Sequence, residues 1–305
     1  MTASRANASE LLSTLRGPGL ALRTGPFSVR LHTDIDLVAR AVALLYADYP
    51  RPASDAFCDF AVRVRRVPGL RRWIRPQVQA LYDGVPSFEP LPLGHAFPLF
   101  EWTLNWCVTT HAFEYLTLHA AVVERGGRAA ILPAPPGSGK STLCAALIHR
   151  GWRLLSDELA LVSLHDGRLS ALARPVSLKN RSLDVMRRFE PSVVFSAETQ
   201  DTSKGTVAHM KVPRDQLRRM DEPALPAWVV FPRYVADAPP KLTPHDKADA
   251  MIELGRNSFN YSVLGRAGFD ALAGLVTACD CFDFSYGHLD DAIAVFDRLA
   301  AGSAP

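Results

Sequence analysis

Cysteine is sparse in this sequence and shows no pairing pattern: Cys58, Cys107, Cys144, Cys279 and Cys281 form an odd, scattered set among 305 residues. No pair of CxxC knuckles occurs, which argues against structural zinc, and nothing in the spacing supports a disulfide scaffold. A reducing cytoplasm is the expected compartment. Cys279 and Cys281 are two apart, so on a strand they would share a face. Long uncharged apolar runs are also missing. The most apolar long segment, 97–123, contains Glu101, Asn105, His111 and Glu114, too polar for a membrane span. The first twenty residues lack the apolar core of a secretory signal, so a soluble chain is expected. Strong charge of either sign is absent too: 34 Lys and Arg stand against 31 Asp and Glu. Composition therefore gives no reason to expect nucleic acid or an anionic membrane as partner. Internal repeats and low-complexity tracts are lacking. What remains is an ordinary globular balance, 48% hydrophobic and 21% charged, in a chain long enough for one large domain or two modest ones.

Elements alternate along the front third. "FSVRLH" (27–32) predicts a strand, and "DIDLVARAVALLYADY" (34–49) an amphipathic helix capped by Asp34. "FAVRVRRV" (60–67) alternates as a half-buried strand does. The turn-rich stretch 83–98 predicts a linker, with a domain boundary near residue 93. The expected division is a smaller α/β domain over 1–93, suited to docking a substrate or partner, and a larger domain over 94–305. A helix is expected over about 99–115, then the strand "LTLHAAVVER", a turn at Gly126–Gly127 and the strand "RAAILPA". Beyond a glycine-rich loop come a helix to about Arg150 and the short strands "WRLLS", "LALVSL" and "RLSALA". The tail predicts a helix (265–278), the strand "CDCFDFSY" and a helix (289–300) opened by "GHLDDA". Strands interleaved with helices indicate an α/β fold.

The glycine-rich loop carries the chemistry. Against G-x-x-x-x-G-K-[ST], the segment Ala134-Pro135-Pro136-Gly137-Ser138-Gly139-Lys140-Ser141 fits everywhere except its first glycine. The later glycines matter more, because backbone N–H groups must approach phosphate with no Cβ in the way. The segment follows an apolar strand and opens a helix whose positive end adds to an anion site. Pro136, Gly137, Ser138, Gly139, Lys140, Ser141 and Thr142 are the expected nucleotide contacts. Lys140 would reach the β- and γ-phosphates, and Ser141 would place its hydroxyl on Mg²⁺. An apolar strand then ends at Asp157-Glu158, seventeen and eighteen residues past Lys140. Carboxylates at that place suit Mg²⁺ or the acceptance of a proton from an attacking hydroxyl.

The block "LHAAVVERGGRAAILPAPPGSGKSTLCAALIHRGWRLLSDELALV" resembles HPr kinase/phosphorylase and the wider P-loop kinases allied to phosphoenolpyruvate carboxykinase. It is most similar to HPr kinase-related proteins with an amino-terminal domain of their own. The family's order and spacing recur as Leu118-His119-Ala120, Lys140-Ser141, Arg150-Gly151 and Asp157-Glu158. The resemblance implies a mixed-sheet P-loop kinase core. It implies Asp157 as general base, Glu158 beside the metal and His119 close to the transferred phosphate. Ala120 and Glu158 stand where the family has glycine and a second aspartate. The family's glutamate- and arginine-bearing signature is replaced by "RPVSLKNRSLDV", so the resemblance does not extend to the phosphate-removing reaction or to HPr as substrate. HPr kinases assemble into oligomers, and self-association stays open here.

Further polar residues offer contacts for nucleotide or acceptor: Arg174 and Lys179, then Lys204, Thr206 and His209 in a loop expected to move, and Arg256 at the end of a helix. Arg63 and Arg65 alternate with Val62 and Val64, as on the solvent face of a strand. Docking of an acidic protein is the second reading of the front-domain arginines, Arg71, Arg72 and Arg75 included, and nucleic acid, for which only Trp73 offers a stacking partner, the third. The expected function is an ATP-dependent, Mg²⁺-requiring kinase of a hydroxyl, a serine of a small protein or peptide. Two alternatives stay open: a kinase of a small-molecule hydroxyl, and a nucleotide-binding regulator or assembly protein that hydrolyses ATP slowly.

Overall fold

The computed structural model describes residues 10–69, 74–135 and 137–302. Arg71, Arg72, Trp73 and Pro136, singled out above, lie outside them. Close packing divides the chain into two compact units, one of Met1–His111, Ser177–Leu183 and Val193–Lys211, the other of Ala112–Val176, Asp184–Ser192 and Val212–Pro305. The division does not follow a linear boundary near residue 93.

The first unit holds a six-stranded sheet. Strands β1 (Leu20–Thr24), β2 (Phe27–Thr33), β3 (Phe60–Arg66) and β4 (Gln77–Tyr82) lie in that order, and the two-residue strands β5 (Val85–Pro86) and β6 (Leu91–Pro92) both pair with β4. β2 and β3 run parallel, joined through helix α1 (Asp36–Leu45). Helix α2 (Ala96–His111) packs on β3, β4 and α1. Burial alternates along β2 and β3, so Val29, Leu31, Val62 and Val64 enter the core while Arg63 and Arg65 stay in solvent. α1 is shorter than its pattern suggests. Ile35, not Asp34, occupies its N-cap, without a side-chain cap; the Ile35 N–H donates to Thr33 Oγ1 at 3.1 Å. The stretch 83–98 is not a linker, since it supplies β5, β6 and the start of α2. Pro86 and Pro92 have no N–H to give a ladder, which confines them to edges and makes the segment read as loop.

A three-stranded sheet in the order Val176–Lys179, Gly205–Met210, Thr199–Thr202 completes this unit. The loop expected to move around Lys204 is a tight hairpin. Thr202 Oγ1 donates to the Gly205 carbonyl at 2.6 Å and accepts from the Lys204 N–H at 3.1 Å. Asn180 holds it from the side, accepting from the Thr206 N–H and donating to the Lys204 carbonyl.

The second unit is built on an eight-stranded mixed sheet. Its long strand β7 (Tyr115–Arg125) pairs antiparallel with β8 (Arg128–Pro133) across the Gly126–Gly127 turn. On the other side of β7 lie β9 (Arg153–Ser156) and then β10 (Leu159–Ser163), with β11 (Leu169–Ser170) beyond β10. Past β8 come β12 (Leu225–Tyr234) and β14 (Asp280–Tyr286), both parallel, with β13 (Lys241–Pro244) antiparallel at the edge. Helix α3 (Lys140–Ile148) packs on β7 and β9, and α7 (Leu289–Ala300) on α3 and β14. Helices α4 (Lys247–Arg256), α5 (Tyr261–Leu264) and α6 (Arg266–Ala278) join a core of Leu116, Leu118, Val122, Ile131, Leu254 and Leu272 on the opposite face. The α7 start has Asp290 and Asp291 in its first turn, favourable to the helix dipole, but His288 at its N-cap gives no side-chain cap. Cys279 ends α6 while Cys281 lies in β14, so the two do not share a strand as expected. The fold is mixed α/β with parallel and antiparallel pairing. Among the described residues no helix is long and apolar enough to cross a membrane.

Candidate functional site

The register of β7 brings the sequence-predicted residues of this unit together. β8 ends where Pro133 pairs with Ala120, and the glycine-rich loop leaves the sheet there to enter α3. On the other flank of β7, Ser156 pairs with Val122 and Leu159 with His119. β9 and β10 are thus one interrupted strand, and Asp157-Glu158 fill the interruption opposite Ala121 and Ala120. The Ala120 N–H still donates to the Glu158 carbonyl at 3.2 Å. Ser156 Oγ accepts from the Leu159 N–H at 3.0 Å, which closes the turn carrying the two carboxylates. Neighbouring strands lie about 4.8 Å apart, so the root of the loop and Asp157 flank β7 at a separation of about 10 Å.

Alternation assigns the faces. Leu116, Leu118, Ala120 and Val122 belong to the core under α4 and α6. His119 and Ala121 therefore point to the opposite face, the one α3 covers, and the residues opposite them, Leu159 and Asp157, point there too. Asp157 is buried, at 6% exposure, and Glu158 is partly exposed. Lys140 is buried as the first residue of α3. Cys144, one turn along α3, reports both charges: burial raises its thiol pKa well above the ordinary value, the Asp157 carboxylate adds to the rise, and Lys140 opposes it. Ser141 and Thr142 are partly exposed in the first turn.

The loop itself needs two glycines for different reasons. Gly137 has φ +91° with open space around it, so only its conformation demands glycine. Gly139 has φ +93°, and a Cβ there would come within 2.5 Å of Tyr286 Oη and 3.0 Å of Tyr234 Cβ. Tyr286 Oη donates to the Gly139 carbonyl at 3.2 Å, and the Tyr234 N–H donates to the Ser138 carbonyl at 2.9 Å. Sequence reasoning missed this brace. Its only signal was an aromatic at the carboxyl end of two apolar strands. Burial, then the neighbouring Tyr234, raises the Tyr286 pKa, which keeps the phenol protonated as a donor.

Where β8 departs, another segment takes its place along β7. Asn257–Asn260 follow α4; the His119 N–H donates to the Asn257 carbonyl at 2.7 Å and the Phe259 N–H to the Thr117 carbonyl at 3.0 Å. Asn260 accepts from the Thr117 N–H at 2.9 Å and donates to the Tyr115 carbonyl at 2.8 Å. The Phe259 ring lies 6.0 Å from His119. Arg256, exposed as the last residue of α4, is thereby one residue from the strand position of His119. Lys179 and Lys204 belong to the first unit, where the Lys204 ammonium sits 5.9 Å from the Trp102 ring centroid. His209 is buried against Phe97 in that unit, and Arg174 is buried in the second.

For Mg²⁺, the described residues contain no group of three or more His, Cys, Asp and Glu side chains placed to hold a metal unaided. Mg²⁺ at phosphates commonly takes only one or two carboxylates, with substrate oxygens and water completing its shell. Asp157 and the Ser141 hydroxyl fit that mode; Glu158, expected beside the metal, lies opposite Ala120 and by the same alternation points to the other face. A separate cavity of about 320 Å³ adjoins the far end of α3, lined by His149, Trp152, Arg153, Gln216 and Arg219 among others.

No family model matches the chain, and no curated protein matches it. Among solved structures, the HPr(Ser) kinase/phosphatase from Coxiella burnetii matches at 12% identity over 61% of this chain and 99% of that one, with a TM-score of 0.27. That score is too low to establish a shared fold.

Proposed function

We propose that the chain is an ATP-dependent, Mg²⁺-requiring kinase that transfers the γ-phosphate to a hydroxyl, a serine of a small protein or peptide, from a P-loop kinase core. The observation that carries this reading is the convergence on β7: the glycine-rich loop, His119 and Asp157 share one face and one end of the sheet. The backbone amides of Gly137–Lys140 and the Lys140 ammonium hold the phosphates, and the start of α3 adds its partial positive charge. Ser141 would hold the metal beside Asp157, on the face that α3 covers. Mg²⁺, when bound, neutralises charge on the phosphate oxygens. Asp157 accepts the proton of the attacking hydroxyl and orients it for in-line transfer. His119 lies beside the transferred group, and Arg256 approaches it from the Asn257 side. Catalysis on this scheme comes from placement and charge, as phosphoryl transfer permits. Lys179 and Lys204 are proposed contacts for acceptor or phosphate; Lys204→Ala then raises KM for the acceptor more than it lowers kcat.

The test compares wild type and Asp157→Asn for phosphate transfer from labelled Mg-ATP to serine peptides. Loss of a general base lowers transfer by about 10²–10⁴-fold, with nucleotide affinity kept within a few-fold. Undiminished transfer in the variant sinks the assignment of the base. ATP hydrolysis with no transfer to any hydroxyl acceptor, peptide or small molecule, favours a nucleotide-dependent regulator.

A further inference from the structure

The first unit carries sixteen Lys and Arg against eleven Asp and Glu, while the second carries eighteen against twenty. Four of its arginines, Arg23, Arg30, Arg63 and Arg65, lie on one surface of the six-stranded sheet. α2 covers one face, with α1 packed against it. On the other, the register places Arg23 beside Ser28, Arg30 beside Ala61, and His32 beside Arg63. Arg63 and Arg65 are exposed, on a strand two positions apart, and make no ion pair among the described residues. Burial first, then the charges of Arg63 and Arg30, lower the His32 pKa, so both guanidiniums bear on this face. Of the nearby acids, Asp59 accepts from both the N–H and the hydroxyl of Ser28, and Asp55 lies in the adjoining loop.

That loop supplies a second, independent feature. The Arg30 guanidinium donates to the carbonyls of Ser54 and Ala56 at 2.7 Å and 2.5 Å. The next residue, Phe57, is 85% exposed, the most exposed large hydrophobic among the described residues. An aromatic held in water at the border of an arginine surface has the composition of an interface anchor, since aromatics and arginine are enriched where partners bind tightly.

We propose that this sheet face docks an extended acidic segment of another protein, with alternate carboxylates on Arg63 and Arg65 and an apolar side chain against Phe57. The spacing fits: alternate residues of a strand are about 6.6–6.8 Å apart both in β3 and in an extended peptide. A single nucleic-acid strand is the poorer occupant. Sheets that bind one stack its bases on several aromatics of the sheet face, whereas the outward positions here carry Ser28, Ala61 and Gln79.

The experiment measures fluorescence anisotropy of a short labelled peptide, Glu alternating with Ser and bearing one Leu, titrated with the full chain. A single-stranded DNA oligonucleotide of equal charge is run in parallel. Wild type is expected to bind the peptide more tightly than the DNA. Arg63→Glu/Arg65→Glu is expected to weaken the peptide about tenfold, and Phe57→Ala about threefold at unchanged salt dependence. The milder Arg63→Gln/Arg65→Gln pair guards against misfolding and weakens binding in the same direction. Unchanged peptide affinity in both arginine pairs, or tighter binding of the DNA, overturns the proposal. Nothing in it depends on phosphate transfer, so it stands or falls apart from the kinase reading.

Discussion

Replacing Gly139 by alanine should cost far more than the same change two residues earlier, although both glycines have nearly the same φ. An L-residue in the left-handed region costs about 1–2 kcal/mol, and at Gly137, with nothing within 4 Å of the new Cβ, that is the whole expected loss. At Gly139 the Cβ meets Tyr286 Oη at 2.5 Å and Tyr234 Cβ at 3.0 Å. Both tyrosines sit on strands, so the contact cannot be relieved by a loose side chain. Overpacking adds about 1–3 kcal/mol, and displacement of Tyr286 from the Gly139 carbonyl adds about 0.5–1.5 kcal/mol. Gly139→Ala should therefore destabilise by about 3–5 kcal/mol against about 1–2 kcal/mol for Gly137→Ala. Urea unfolding, read by tryptophan fluorescence, compares them; Trp152 and Trp228 lie in the unit concerned. Tyr286→Phe alone should cost about 1 kcal/mol. Combined with Gly139→Ala it removes the clashing oxygen, so the double variant should be at least about 1 kcal/mol more stable than additivity requires. Equal losses at the two glycines, or strict additivity in the cycle, would refute the account of the brace.

The buried Glu124–Arg153 pair ties the Gly126–Gly127 turn to the carbonyls of Arg219 and Glu222. Glu124→Gln strands the guanidinium and should destabilise by about 3–5 kcal/mol, while Glu124→Leu/Arg153→Met should lose much less, as melting curves would show. Stability should also fall in alkali. Burial pushes the Cys279 thiol up to about 12, so the folded chain keeps a proton that the unfolded chain releases near the ordinary thiol value of about 8.5. With more protons bound in the native state, stability drops between those two pH values, by at most about 1.4 kcal/mol per pH unit per group. Cys279→Ala should flatten that slope in urea titrations. Cys144, buried and held protonated, should resist alkylation in the native chain and react once urea unfolds it.

What the sequence disclosed was local. β7, β8 and β9 stand out as apolar runs bounded by turn residues, the helix after the glycine-rich loop follows from the loop motif, and the spacing from Lys140 to Asp157 came with them. The brace was not legible, because Tyr286 meets Gly139 from 147 residues away and no local pattern encodes a parallel pairing of that range. Neither was the hairpin around Lys204: its strands are short and polar, and Asn180, which holds it, is remote in sequence. Asp34 looked like a helix cap because its type and place were right, yet Ile35 occupies the N-cap. Such one-residue choices are made by the packing of Val38, Val42 and Leu45, which fixes where the helix can begin.

The backbone passes between the two packing units five times, at residues 111, 176, 183, 192 and 211. No single cut of the gene therefore yields both units whole. A fragment ending at His111 lacks the three-stranded sheet that belongs with it, and one beginning at Ala112 must carry that sheet as a foreign insertion. A single crossover between relatives cannot exchange one unit without splitting the other, so the two are expected to have been inherited, and to be engineered, as one piece.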